Sequence, residues 1–318
     1  MRAVLALLLT PVARFWGLMN KQTEIEKHGI SIIIPAYNEE NAIAGTVERT
    51  REVFSSYPGL PFEIIVVDDG SSDNTAANVP VDKCLLLQHP QNYGYGRSLL
   101  LGINRARYPF IGIIDADSTY DPQIFRRMIP AMDIYDMVIG SRKLTNQSRV
   151  VSLMRKTLKA LLYFFGDHAS ADPNSGIRIF RKSLVESGGH LFSKGFSFST
   201  SLTFFAALNH QFIEYIPIEY GDRTGVSKVR HLRDSIKTFF LVISMSLIYR
   251  PIKCFACLLL LFVFGTGLLA SIKTRLKQET FLGLIFSFGV GILVLGLSFL
   301  AFIQGKIYEH TLSRQHRI

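Results

Sequence analysis

Ile30-Ser31-Ile32-Ile33-Ile34-Pro35-Ala36-Tyr37-Asn38-Glu39-Glu40 decides the fold. A short, almost wholly apolar run reads as a buried strand, and it stops at a polar turn. Beyond the turn, Ile43, Val47, Thr50 and Phe54 share one helical stripe, so Asn38–Ser56 is expected to be a helix. The alternation continues outward: strand Phe62–Asp68, a helix near Asp73–Asn78, strand Cys84–Gln88, helix Tyr95–Arg107 and strand Pro109–Asp115. Later strands are expected at Tyr135–Gly140, Gly176–Phe180 and Phe212–Pro217, with a basic helix over Arg149–Gly166. Strands alternating with helices predict an α/β domain with a mostly parallel sheet and right-handed crossovers. Ligands in such sheets bind beyond the carboxyl ends of the strands, and the polar motifs of this chain fall there.

The turn after the first strand offers Tyr37 to stack on a base and polar groups to hold a nucleoside, although Asn38 also suits a plain helix N-cap. Val66-Val67-Asp68-Asp69-Gly70-Ser71-Ser72-Asp73 puts adjacent acids after a buried strand. Asp68 or Asp69 can accept hydrogen bonds from a uracil or guanine edge and ribose, whereas Asp73 serves equally as a cap. In Asn92-Tyr93-Gly94-Tyr95-Gly96-Arg97 the glycines permit close backbone approach ahead of a helix N-terminus, which favours a phosphate. Asp115-Ala116-Asp117 places two carboxylates one residue apart, both within reach of one hard divalent cation. Mg2+ or Mn2+ there would bridge to a donor diphosphate and neutralise the leaving group.

The 318-residue chain is 48% hydrophobic, carries a formal charge of +10 and has a mean hydropathy of +0.24. The apolar excess follows Pro251. Cys254–Ile272 and Phe281–Ile303 are free of charge, and each reaches the ~20 residues that cross a bilayer core. Before them, Ile236, Phe239, Ile243 and Leu247 mark an apolar helical face, read as an amphipathic helix on the membrane surface. The expected organisation is an N-terminal extension (1–28), a catalytic α/β domain (29–230), an interface helix (231–250), a two-helix transmembrane hairpin (251–305) and a tail (306–318). The basic charge has no zinc spacing, RNP-like strand or dominant basic tail beside it. Anionic lipid headgroups and phosphorylated substrates therefore fit it better than nucleic acid. Cys84, Cys254 and Cys257 are the cysteines, and the C-x-x-C pair opens an apolar span, so packing explains it.

In this order the four motifs resemble the family 2 glycosyltransferases, which have the GT-A fold (Rossmann-like, mostly parallel sheet). Gly140-Ser141-Arg142, Asp172-Pro173-Asn174-Ser175-Gly176-Ile177-Arg178 and Arg223-Thr224-Gly225-Val226-Ser227-Lys228 resemble the polyprenyl-phosphate branch, which includes the dolichyl-phosphate mannose synthases. The resemblance implies a donor-nucleotide pocket of Pro35, Tyr37, Glu39, Asp68 and Asp69, with the adjoining Ala36, Asn92 and Ala116. It implies a metal site of Asp115 and Asp117, catalytic roles for Asp117, Asp115 and Asp172, and an acceptor-phosphate site of Arg142, Arg223 and Lys228, with Arg155 as a fourth. Mannose synthases of the branch usually carry glutamine where this chain has Thr119.

The expectation is then a metal-dependent, inverting transfer from a UDP- or GDP-linked sugar to a polyprenyl phosphate at the cytoplasmic face of a cell membrane or an equivalent endomembrane. An anionic acceptor phosphate needs no general base. Asp172 would contact the sugar or an arginine of the acceptor site. Lys306, Arg314 and Arg317 put positive charge in the tail, while Lys273, Arg275 and Lys277 in the turn between the spans count the other way. Ser287 and Gly291 permit close span packing and a homo-oligomer. A processive polysaccharide synthase would carry Q-x-x-R-W, but Trp16 is the one tryptophan here. A non-catalytic membrane subunit would not need the Asp115/Asp117 pair.

Overall fold

The computed structural model describes residues 23–142, 149–167, 170–193, 195, 197–219, 221, 231–272 and individual positions between 282 and 304. Among the described residues seven strands form one sheet: β1 Ile30–Ala36, β2 Phe62–Asp68, β3 Leu85–Gln88, β4 Phe110–Ile113, β5 Met137–Arg142, β6 Arg178–Arg181 and β7 Ile213–Ile218. Their spatial order is β3-β2-β1-β4-β6-β5-β7. Strands β3, β2, β1 and β4 run parallel, as do β5 and β7. Strand β6 is antiparallel to both neighbours, with Arg178 opposite Ile113 and Ile139. The expected parallel sheet is therefore mixed, and the reversal has a consequence for the site. The loop entering β6, rather than the one leaving it, lies at the edge where β4 and β5 end.

The helices are α1 Glu24–His28, α2 Ile43–Ser55, α3 Tyr95–Arg105, α4 Phe125–Ala131, α5 Arg149–Gly166, α6 Lys182–Gly188, α7 Phe198–Leu208, α8 His231–Tyr249 and α9 Pro251–Ile272. Alternate strand residues feed opposite faces of the sheet. Ile30, Ile32 and Ile34 pack with α2 and α4 through Ile43, Val47, Phe54, Phe125 and Met128. Ile33, Ile65, Val67, Ile111 and Ile113 pack with α3, α5, α7 and α8 on the other side. This is the three-layer plan of the α/β class. Ile25 of α1 is fully buried in the first of these cores, and a Thr23/Glu26 capping box starts that helix.

The helix expected near Asp73–Asn78 is instead a run of turns. The Thr75 N–H donates to Asp73 Oδ1 at 3.0 Å and the Asn78 N–H to Asn74 O at 3.0 Å, but so short a segment cannot repay helix nucleation. The apolar face expected of residues 231–250 also divides. Thr238, Val242, Met245 and Ser246 are buried, Ile243 and Leu247 pack on the core in part, and Ile236, Phe239 and Phe240 stay exposed.

Among the described residues no single helix is long and apolar enough to cross a membrane. Ile236–Tyr249 and Pro251–Gly265 pass together by length and composition, bent by 113°, at a proline that lacks the N–H a continuing helix would use. That pair is not the transmembrane hairpin expected over 251–305: it joins residues 236–249 to the first expected segment, and much of the second expected segment lies outside the described residues. The two segments touch where described: the Phe262 and Phe288 rings stack at 5.9 Å, and a Cβ on Gly265 would lie 2.6 Å from the Phe288 ring.

Candidate active site

Chain ends of β1, β2 and β4 meet at one edge of the sheet. Pro35 and Ala36 close β1 in the buried layer, with Tyr37 and Glu39 half-buried beyond them. The turn that follows is locked to the turn after β2. Asn38, at φ +51°, donates its N–H to Ser71 Oγ (2.9 Å) and accepts from the Ser72 N–H through Oδ1 (2.9 Å). Glu39 donates its N–H to Thr75 Oγ1 at 2.7 Å. Asp68 accepts from the hydroxyl and N–H of Ser71.

Asp69 works differently from its neighbour. Its two carboxylate oxygens accept the backbone N–H groups of Tyr93 (2.9 Å) and Gly94 (2.8 Å), and it is 4% exposed. Its charge therefore anchors the Asn92–Gly96 loop, with Asn92 itself exposed. Gly70, at φ +68°, permits that docking, because a Cβ there would sit 2.6 Å from Gln91 Cα.

Asp115, Ala116 and Asp117 form the turn after β4. Asp115 Oδ1 accepts from the Tyr95 hydroxyl at 2.9 Å. Asp117 Oδ1 accepts from the Thr119 hydroxyl (2.6 Å) and N–H (3.2 Å), so the threonine fixes the direction of this carboxylate. Helix α2 braces the turn from beneath: Thr46 Oγ1 donates to Ala116 O (3.1 Å), and Arg49 Nη2 donates to Ser118 Oγ (2.8 Å). Ser118 takes φ +61°, a left-handed conformation uncommon outside glycine.

The loop entering β6 completes the candidate site. A Cβ on Gly176 would lie 2.6 Å from Asp115 Cγ, so only glycine lets this backbone lie against that carboxylate. The Gly176 N–H donates to the Tyr120 hydroxyl at 2.8 Å. Four residues earlier, Asp172 receives the Arg142 guanidinium in a forked pair, Nε to Oδ2 at 2.7 Å and Nη2 to Oδ1 at 3.1 Å. The Arg142 side chain is 15% exposed and that of Asp172 5%. Arg155 of α5 stands within electrostatic reach of both. Burial lowers its pKa, Asp172 opposes that shift and Arg142 adds to it. Arg223 and Lys228 lie outside the described residues.

Burial and the nearby Asp115 charge hold the Tyr95 pKa well above its ordinary value, and burial does the same for Tyr120. Tyr215 is pushed up to about 12 by burial. These phenols therefore stay protonated and able to donate. Among the described residues no group of three or more His, Cys, Asp or Glu gathers to hold a metal by itself. Asp115 and Asp117 nonetheless fit Mg2+ or Mn2+. Both ligands are hard oxygens, and such ions commonly take one or two carboxylates, with substrate phosphates and water filling the other positions.

Thr46, Arg49, Tyr95, Ser118, Tyr120 and Arg178 support the site without being legible as site residues in the sequence. Tyr95 and Arg178 carried a signal, their places in the glycine-containing loop motif and at the end of the Asp172–Arg178 motif.

A family model described as glycosyl transferase family 2 matches residues 31–189. An undecaprenyl-phosphate 4-deoxy-4-formamido-L-arabinose transferase of Yersinia enterocolitica is 32% identical over 183 residues, 54% of each chain. An uncharacterised protein of Methanocaldococcus jannaschii is 30% identical over 177 residues, 51% of this chain and 70% of that one. The chain spans about half the length of the transferase relatives it matches. Among solved structures, glucosyl-3-phosphoglycerate synthase of Mycobacterium tuberculosis, in complex with Mn2+, UDP-glucose and phosphoglyceric acid, superposes with a TM-score of 0.54. Identity is 20%, and coverage is 69% of this chain and 80% of that one. Mannosyl-3-phosphoglycerate synthase of Rubrobacter xylanophilus gives 0.55 at 17% identity, over 71% and 77%. These two likenesses establish a shared fold.

Proposed function

The chain belongs to glycosyl transferase family 2, and on that premise we propose that it transfers a sugar from a UDP- or GDP-linked donor to a polyprenyl phosphate, with inversion at the anomeric carbon. The observation that carries this reading is the meeting of two unlike subsites. Asp115 and Asp117 stand in the turn after β4, and the Arg142–Asp172 pair, with Arg155 in electrostatic reach, stands where β5 ends beside the loop entering β6. Carboxylates suit a cation-borne diphosphate, and guanidinium forks suit an acceptor phosphate.

The donor nucleoside would lie along Pro35, Ala36, Tyr37, Glu39 and Asp68, with Asp69 and Asn92 shaping the far wall and Ala116 the floor. Asp115 and Asp117 would hold a divalent cation, which when bound would supply charge neutralisation for the leaving diphosphate. Thr119 keeps Asp117 aimed, and Tyr95 does the same for Asp115. Arg142 and Arg155 orient the acceptor phosphate opposite the leaving group, with Arg223 and Lys228 as further candidates. Its oxygen is already anionic near neutral pH, so catalysis rests on positioning and charge stabilisation. Asp172 acts through Arg142, by setting the angle of its guanidinium.

A lipid acceptor also accounts for the exposed apolar surface. Leu153, Tyr163 and Phe164 of α5, Ile236, Phe239 and Phe240 of α8, and Ile252 and Phe255 of α9 are all exposed. Lys253 Nζ reaches Phe164 O (3.0 Å) and Asp167 Oδ1 (2.7 Å), tying the end of α5 to the start of α9. Apolar side chains beside lysines on one side of a domain suit a headgroup–acyl boundary. In this reading α8 lies at the interface, residues 251–305 form the membrane hairpin, and the catalytic domain faces the cytoplasm, where nucleotide sugars are available. The test is incubation of the purified full chain with Mn2+ or Mg2+, undecaprenyl phosphate and separate UDP- and GDP-sugars. One donor should yield a lipid-linked monosaccharide, and no product from any donor would refute the reading.

A further inference from the structure

Arg178, the first residue of β6, has no solvent exposure, and its guanidinium bonds only neutral oxygens. Nη1 donates to Ser199 O at 3.0 Å and Thr203 Oγ1 at 3.1 Å. Nη2 donates to Pro173 O at 3.2 Å and to Ser175 O. Nε has no partner among the described residues. An apolar side chain of similar volume often serves stability as well as a buried charge does, so the charge calls for a reason beyond packing.

The partners supply that reason. Ser199 and Thr203 belong to α7, a helix buried along its whole length. Pro173 and Ser175 lie between the two residues that reach the candidate site, Asp172 on Arg142 and Gly176 against Asp115. The planar fork thus fastens the loop to the rigid layer behind it, one nitrogen on each side. Arg178 also faces Tyr95, Tyr120, Tyr215 and Asp172 electrostatically.

We infer that Arg178 is a positioning residue that holds the Asp172–Gly176 loop as one piece and so sets the spacing between the acceptor-side ion pair and the donor-side carboxylate. This rests on the transferase reading for its catalytic consequence, but its structural consequence is measurable without it. Lysine keeps the charge but is a point donor rather than a fork.

The experiment compares wild type, Arg178→Lys, Arg178→Met and Thr203→Val by amide hydrogen exchange and by kcat and KM. In Arg178→Lys, exchange across 172–176 rises by about tenfold or more, as expected for the loss of one or more charge-assisted bonds, while β1, β2 and β4 keep wild-type protection. Its kcat falls by a similar factor, and KM for the nucleotide sugar holds. Arg178→Met falls further, and Thr203→Val, losing one acceptor of four, shifts the same readouts less. If both arginine variants fail to fold, Thr203→Val decides by the same loop-confined signature. Wild-type exchange and kcat in Arg178→Lys would overturn the inference. So would a rise in exchange spread evenly over the sheet with kcat unchanged, the mark of a purely structural residue. If wild type transfers no sugar, the functional reading fails separately, and the exchange data alone decide the role of Arg178.

Discussion

Residues 30–120 and the described residues of 137–221 build the two walls of the candidate site by different means. In the first stretch, parallel strands each present acids at their carboxyl end: Asp68 is the last residue of β2, Asp69 follows it, and Asp115 and Asp117 follow β4. In the second, β6 runs backwards, and the chemistry precedes it: Asp172 and Gly176 reach the candidate site from the loop that enters the strand. Strand direction thus decides which flank of a strand reaches this edge of the sheet.

The largest expected effect lies in the first wall. Asp117→Ala should lower transfer by ~1,000-fold or more, since electrostatic stabilisation of a leaving group is commonly the dominant catalytic term. Transfer rate beside thermal stability checks this, and retained activity would remove Asp117 from the site. Next is the point where the walls touch. Gly176→Ala forces a methyl against Asp115, and an overpacking cost of about 1–3 kcal/mol should appear as lower stability together with a fall in kcat of about 100-fold.

Within the second wall, Asp172→Ala removes the carboxylate that takes the poorly exposed Arg142 guanidinium in its fork. Breaking a buried pair costs on the order of 3–5 kcal/mol, and the loss should raise KM for the lipid acceptor more than KM for the donor. Equal rises in both would blur the division between the walls.

The smallest effect is at alkaline pH. The folded pKa of Tyr95 and Tyr120 lies above the ordinary value of 10.0. Stability is therefore full below pH 10.0 and is lost as pH rises towards the folded values. Tyr95→Phe should flatten that alkaline decline in a urea-unfolding series and cost a few-fold in rate, since it removes a hydrogen bond worth about 1 kcal/mol.

The first wall was largely legible in the sequence, because apolar runs ending in paired acids mark both strand and site. What escaped was the use of each acid. Asp69 reads as a nucleotide ligand, yet it anchors Tyr93 and Gly94 from a distant stretch of chain. The second wall was legible as residues but not as geometry. Hydrophobicity does not encode whether β6 runs up or down, so the approach of Gly176 to Asp115 could not be seen. Helix α7 has no amphipathic stripe, being buried on every side, and its role behind Arg178 left no periodic trace. The apolar face expected of residues 231–250 was split by tertiary packing: Val242 and Met245 turned inward and Phe239 and Phe240 outward.

The most direct measurement offers both kinds of phosphate acceptor at once. Purified full-length chain, with Mn2+ or Mg2+ and a panel of UDP- and GDP-sugars, receives undecaprenyl phosphate and 3-phosphoglycerate together, and products are read by mass. The expected result is one sugar on undecaprenyl phosphate, formed with release of nucleoside diphosphate and abolished by EDTA. Sugar on 3-phosphoglycerate alone, or no lipid-linked sugar from any donor, would contradict it.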